Sequence, residues 1–419
     1  MDAAAVYADD LSGDLVDDYL RLGLAFDRLE EGFVDAYTGD PVLRAEVAGA
    51  PAPQPAELAR RARSLLTRLS GEPESARADF VAAHLRALEC SARKFAGEDI
   101  GFVDEVKSYF DVDISLADPE RYRDAHERLA VALDVPGADG ERLAEAYAVY
   151  RRADEIPANR VDECVRAFSG ALRERVRAIF PLPDSEIVEF EVVGDKPWSG
   201  FNYYLGDFRS KVAINTDLTQ HMSNLPNLIA HEAYPGHHTE HCRKEQLLVG
   251  GGQREQTIFL VNTPQCLMAE GLADHALKAA IGPGWPSWAQ EIYADLGLRF
   301  DADRATRVGR ATADLLSVRQ DAALLLHDQG RGEDDAAAYL QRWLLAPPER
   351  ARQMLRFLTS PLWRAYISTY VEGYRLLDTW LDVAVSDEER LRRDDERLRR
   401  FGRLLDEPLI PASLRAELG

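Results

Sequence analysis

Cysteine is scarce in this chain of 419 residues: Cys90, Cys164, Cys242 and Cys266 are scattered, and none forms a C-x-x-C pair. That excludes a disulfide framework. Cys242 and Cys266 flank a histidine cluster and offer themselves as soft ligands, but burial as small apolar side chains is the favoured reading. Long apolar runs are missing too. No stretch approaches about 18 uninterrupted apolar residues, so no membrane-spanning helix is expected. The first ten residues carry no basic segment, so no signal peptide is expected and the default location is cytoplasmic. Positive charge is in deficit, with 50 Lys and Arg against 72 Asp and Glu, a net of −22. Phosphate-rich partners would be repelled, which argues against nucleic acid or an anionic membrane. No fixed-period repeat is present.

What is there is helix. From about 14 to 37, Leu15, Tyr19, Leu22, Phe26, Leu29 and Phe33 recur at threes and fours, predicting one amphipathic helix. Thr38-Gly39-Asp40-Pro41 stops it. Further helices are predicted at about 56–70, 76–97, 118–133, 139–153 and 158–179. The character changes after Phe180-Pro181-Leu182-Pro183. Glu186 to Val193 alternates acidic and apolar residues, the pattern of a strand with one wet face. Lys196 to Gly200 reads as a turn, and 201–205 and 211–215 as two more strands. A small antiparallel sheet over about 186–216 is therefore expected beside a cleft. Helices resume at 218–232, 254–281, 286–330, 334–346, 348–358 and 361–384. A final segment, 386–405, carries Glu388, Arg392, Asp395 and Arg399 at the spacing of a solvated face laced with ion pairs. The expected organisation is an N-terminal helical region, 1–180, and a catalytic region, 181–419, which could also form one continuous domain with a cleft.

Nine histidines are present, and five of them (His221, His231, His237, His238 and His241) fall within 21 positions. His231 is followed directly by Glu232, the pairing a zinc hydrolase needs: the imidazole binds metal and the carboxylate activates water. In the common H-E-x-x-H arrangement the second ligand stands at i+4 on the same helical face. Here that position is Pro235. Proline removes a backbone donor, restricts Tyr234 before it, and is followed by the permissive Gly236. The helix must bulge or restart between 232 and 237. Two extra residues bring His237 to the ligand position, and three bring His238; His237 needs the smaller distortion. A third ligand is sought on the next helix, where Glu270 stands in an apolar run and would be costly to bury unpaired. Asp274 and His275, one turn on, are candidates to orient the ligands.

His231-Glu232-Ala233-Tyr234-Pro235-Gly236-His237-His238 resembles the H-E-x-x-P-G-H-H signature of the family catalogued as domain of unknown function 885. Glu270-Gly271-Leu272-Ala273 resembles that family's E-G-W-A segment, with Leu272 for Trp. Pro361 through Tyr370-Val371-Glu372-Gly373 resembles its C-terminal P…Y-x-x-G segment, and Asp27 to Tyr37 its opening helix. The resemblance implies a mostly helical zinc metallopeptidase. A more distant similarity to thimet oligopeptidase and to the Taq-type carboxypeptidase, which carry Gly-His in the second half of the motif, favours His237 over His238. Such enzymes steady the oxyanion with Tyr, His or Arg from a late helix. Tyr370, and after it Tyr366, fit that role; Tyr374 continues their face, and Arg364 and Arg375 are near in sequence. His327 reads as structural.

The expectation is thus a mainly α fold with one zinc ion held by His231, His237 (or His238) and Glu270. Glu232 acts on water, and the substrate is a short peptide. An ester or non-peptide amide hydrolase on the same scaffold is the first alternative. A non-catalytic metal-binding helical protein is the second.

Overall fold

The computed structural model describes residues 11–194, 200–215, 219–382 and 390–419, with side chains from 394 in the last segment. The predicted turn at 196–199 and the start of the helix at 218 lie outside these residues. So do Glu388 and the side chain of Arg392.

The first helix ends at Asp27, ten residues earlier than its periodicity predicts. The Asp27 carboxylate accepts hydrogen bonds from the backbone N–H groups of Gly32 and Val34, both at 3.1 Å. Gly32 takes φ +86°, a conformation that glycine adopts without strain. The chain then turns into strand β1 (Val34–Tyr37), which pairs antiparallel with β5 (Ile258–Leu260). The helices Pro41–Gly49, Pro55–Leu69, Ala76–Phe95, Phe102–Phe110, Pro119–Ala132, Gly140–Ala153 and Val161–Ile179 follow. Asp40, Ser75 and Asp118 cap theirs through side-chain acceptors, satisfying donors the first turn leaves free. Phe102–Phe110 is a helix that the periodicity reading left unassigned.

Three strands follow: β2 (Ile187–Val193), β3 (Gly200–Gly206) and β4 (Arg209–Asn215), in the order β2-β4-β3. The expected antiparallel pairing holds for β3 and β4, whereas β2 lies parallel to β4. The segment read as one helix over 254–281 contains β5 and then the helix Pro264–Ile281. Asn262, at φ +62°, makes the break. Residues 286–330 divide into Trp285–Asp295, Ala302–Thr312 and Val318–His327, with Gly297 at φ +72° in the first gap. The stretch 361–384 carries a π-helical segment, Thr369–Gly373, and the helix Tyr374–Leu381.

One hydrophobic core runs from Leu11 to Leu414 and includes side chains from both halves of the chain. Pro264–Ile281 lies inside it, buried on nearly all faces from Pro264 to Ala280. Glu270 therefore sits on a helix with little access to solvent. Two glycines fix what packs beside it. A Cβ on Gly271 would lie 2.7 Å from the Gly373 carbonyl oxygen, and one on Gly373 2.5 Å from that of Leu267. Bare backbone on both sides lets the π-helical segment press onto the Glu270 helix. The E-G-L-A and Y-x-x-G motifs are the two sides of that contact. Among the described residues, no helix is long and apolar enough to cross a membrane.

Candidate metal centre

The helix Leu225–Glu232 ends directly on the His-Glu pair, and a second helix, His237–Lys244, begins five residues on. Between them the Tyr234–Pro235 bond is cis. Gly236 is indispensable at this junction: a Cβ there would stand 1.9 Å from the His231 carbonyl oxygen and 2.5 Å from that of Ala230. The Gly236 N–H donates to the Ala230 carbonyl at 2.8 Å, which folds the restart back on the first helix. The restart brings the His231 and His237 rings to 4.7 Å between centroids, nearly perpendicular at 87°.

Glu270 completes the group. Its Oε2 lies 3.2 Å from His231 Nε2, and its Oε1 lies 3.8 Å from His237 Nε2. One potential ligand atom from each of His231, His237 and Glu270 falls within 4.8 Å of the others. Glu270 Oε2 is buried yet makes no hydrogen bond, although an imidazole nitrogen is beside it. Two imidazoles and a carboxylate with an unused buried oxygen form a donor set that suits a divalent metal such as zinc.

The supporting contacts sort the remaining predicted residues. Asp274 Oδ1 lies 3.0 Å from His231 Nδ1 and fixes that ring. Glu240 stands 4.0 Å from His237 Nδ1 and accepts a 2.6 Å bond from Lys244. Tyr366, expected beside Tyr370 as a catalytic phenol, instead donates its hydroxyl to Glu270 Oε1 at 2.7 Å, so it positions a candidate ligand. Tyr370 packs edge-on against Tyr366. Burial pushes its phenol well above the ordinary value, and Glu270, Asp274 and Glu232 push in the same direction. His275 turns away: its Nε2 lies 3.1 Å from the Tyr374 carbonyl and its ring stacks on Tyr374, so the expected orienting role has no contact behind it. Arg364 pairs with Glu105 and Arg375 with Glu372. His327 Nε2 lies 2.7 Å from the Leu358 carbonyl, in keeping with its structural reading.

His238 belongs to a different cluster. Its side chain is 0 % exposed, against 15 % for His237. Its Nδ1 lies 2.8 Å from Ser210 Oγ and its Nε2 3.1 Å from Glu186 Oε2, so both nitrogens are engaged. Burial lowers its pKa, and the neutral ring satisfies both contacts by donating from Nε2 and accepting at Nδ1. Cys242 lies 3.5 Å from His238 Nε2, and Cys266 donates to the Leu260 carbonyl; burial raises both thiols.

Around the candidate ligands, burial disfavours charge on His231, but Asp274 and Glu270 outweigh it and raise its pKa well above the imidazole value. Burial also works against charging His237, and Glu240 beside it raises it nonetheless. In Glu270 burial is outweighed by His231 and His237, which hold its carboxyl down. Metal binding would displace the imidazole protons. Glu232 is buried, and that burial raises its carboxyl above the ordinary value, partly opposed by the two histidines. Its space comes from β3: a Cβ on Gly200 would lie 3.2 Å from Glu232 Oε1. Asn202 on the same strand donates to the Glu232 carbonyl at 2.6 Å.

Asp35 was not legible as a site residue. Val34 pairs with Leu260 and Ala36 with Phe259, so Asp35 is the extra residue of a β-bulge. Bulges re-aim side chains and recur beside active sites. Burial raises the Asp35 carboxyl to about 7, with His237 opposing and Glu270 and Glu232 adding to the shift.

Fold and site together define a mainly helical protein with a His/His/Glu group able to hold a metal ion. The chain is similar in fold to "the putative lipoprotein from Colwellia psychrerythraea", at 15% identity and TM-score 0.50, over 89% of this chain and 68% of that one. It also matches "a putative lipoprotein of unknown function from Shewanella oneidensis", at 13% identity and TM-score 0.49, over 90% and 76%. A third match is the M32 carboxypeptidase of Deinococcus radiodurans R1, at 14% identity and TM-score 0.37, over 96% and 92%. No family model matches the chain, and no curated protein does. The resemblance to the domain-of-unknown-function family therefore rests on the motifs alone.

Proposed function

We propose that the protein is a zinc-dependent hydrolase, a metallopeptidase acting on short peptides. The observation that carries this reading is the convergence of His231, His237 and Glu270, with Glu232 buried beside them and its carboxylate bonded to no partner among the described residues. A purely structural metal site has no use for that carboxylate.

Zinc held by the three residues supplies Lewis acidity toward water and the scissile carbonyl. The chain supplies the rest. Glu232 takes a proton from the attacking water as the C–O bond forms, and passes it to the amine as the C–N bond breaks. Its raised pKa suits both halves of that exchange. Tyr370 donates a hydrogen bond to the carbonyl oxygen as negative charge develops there. Tyr366 and Asp274 keep Glu270 and His231 in place. Strand β3, an edge strand of its sheet, borders Glu232 and offers an extended substrate its main chain.

The test is turnover of a diverse peptide library by zinc-loaded protein, with ester and amide panels beside it. Wild type should cleave peptides, and Glu232→Gln should retain zinc while losing about 10²–10⁴-fold in kcat. Equal turnover by wild type and Glu232→Gln would overturn the mechanism. Cleavage of esters alone would reassign the substrate.

A further inference from the structure

Apart from Glu232, which acts on water in the reading above, the charged side chains around the candidate metal group are accounted for, with two exceptions. His231 is held by Asp274, Glu240 by Lys244 and Glu270 by Tyr366. Asp35 and Arg319 make no ion pair and no hydrogen bond with any described residue. They are of opposite charge type, and neither counts the other among its electrostatic neighbours. Asp35 shares its surroundings with His237, Glu232 and Glu270, whereas Arg319 shares its own with Tyr370.

Both placements are enforced. The β1 bulge sets Asp35, the one residue of that strand without a partner across the ladder to β5. Arg319 is the second residue of the helix Val318–His327, and the residues on either side of it are anchored. Ser317 accepts from Arg375, and Gln320 donates to Glu372 Oε1 at 2.8 Å. Glu372 lies two residues beyond Tyr370, so the start of the Arg319 helix is tied to the segment that carries the phenol. Arg319 is solvent-exposed, yet the surrounding protein desolvates it enough to disfavour its charge. Arg350 also lies close enough to repel it, with Arg151 beyond. Arg319 and Arg350, neither of them in an ion pair with a described carboxylate, together favour the arrival of an anion. A guanidinium meets a carboxylate through two parallel hydrogen bonds. An unpaired carboxylate likewise accepts from an ammonium.

Building on the peptidase reading above, we propose that the site selects short peptides with both ends free: Asp35 receives the N-terminal ammonium, and Arg319, backed by Arg350, receives the C-terminal carboxylate. The two charges hold the chain across the metal group and Glu232. Because both poles are fixed in the fold, they also limit the length that can bridge them.

Equilibrium binding tests this apart from turnover. Zinc-loaded Glu232→Gln protein would be titrated calorimetrically with alanine peptides of two to five residues, each free, N-acetylated or C-amidated. An amidated peptide ending in Glu would test a side-chain carboxylate as the source of the anion. Each blocked end should weaken the best free peptide by about tenfold or more. Asp35→Asn should remove the penalty of acetylation, Arg319→Ala that of amidation, and Arg319→Lys should restore part of the latter. Blocked and free peptides binding alike, discrimination at one end only, full recovery with the terminal Glu, or no binding by any free peptide would each overturn the proposal. Intact discrimination with no cleavage by wild type would instead sink the hydrolase reading and leave the recognition standing.

Discussion

His237 and His238 are adjacent in sequence and belong to opposite kinds of polar cluster. Around His238 every contact is closed. Glu186 receives Tyr234 at 2.8 Å, Arg173 at 2.7 Å, Arg177 at 3.0 Å and His238 at 3.1 Å, and Ser210 completes the imidazole. Around His237 the cluster is open. Glu270 Oε2 and Glu240 Oε2 are buried without hydrogen bonds, and Asp35, beside His237, is unpaired among the described residues. Buried polar groups are almost always satisfied, so a cluster left incomplete inside a well-packed protein marks where something binds. The closed cluster holds the sheet against the restarted helix, and the open one is where chemistry is proposed.

The sharpest way to break this comparison is to remove each histidine in turn. His237→Ala should lose metal affinity by more than about a hundredfold, since a ligand matters more than the bonds supporting it. His238→Ala should keep its metal and lose about 2–4 kcal/mol of stability in urea unfolding, because it opens a cavity and strips a bond from Glu186. The reverse outcome would exchange the roles of the two residues.

A smaller effect is expected from Glu186→Gln. Burial raises the Glu186 carboxyl, but bonds from His238, Tyr234 and Arg173 outweigh it and bring the pKa to about 2, from an ordinary 4.5. A lowered carboxyl stabilises the fold at pH values above its unfolded pKa, and that contribution is lost as pH falls through the folded one. The arginines are partly exposed, which discounts the pair, so the variant should cost about 2 kcal/mol at neutral pH. The gap to wild type should shrink as pH falls from 4.5 toward 2. Denaturant melts across that range check it, and a constant gap would contradict the assignment. Smallest is Asp274→Asn, which should weaken metal binding by about tenfold with little change in stability, as read by competition with a chelator.

Much of the fold was legible because amphipathic helices declare themselves locally. The π-helical segment and the breaks at Asn262 and Gly297 did not, since an apolar period continues across them. β1 was read as the end of a helix: Phe33 keeps helical spacing with Phe26 and Leu29, and the strand forms only against β5, over 200 residues later. The parallel pairing of β2 with β4 is likewise set by tertiary contact. In the site, the motif supplied His231, Glu232 and Glu270, and the Pro-Gly insertion pointed to a restarted helix. Choosing His237 by geometry needed Glu186 and Ser210, which occupy His238 from 52 and 28 residues away. Asp35 and Arg319 carried no motif of their own. The signal at Asp35 is a bulge visible only once two distant strands are paired.

The central claim is that His231, His237 and Glu270 hold a catalytic metal ion. Its most direct test is the metal content of protein purified without chelator or a histidine tag, measured for wild type and His231→Ala. Wild type should hold about one zinc per chain and the variant essentially none. A metal-free wild type that also fails to take up added zinc, or equal metal in both proteins, would contradict it.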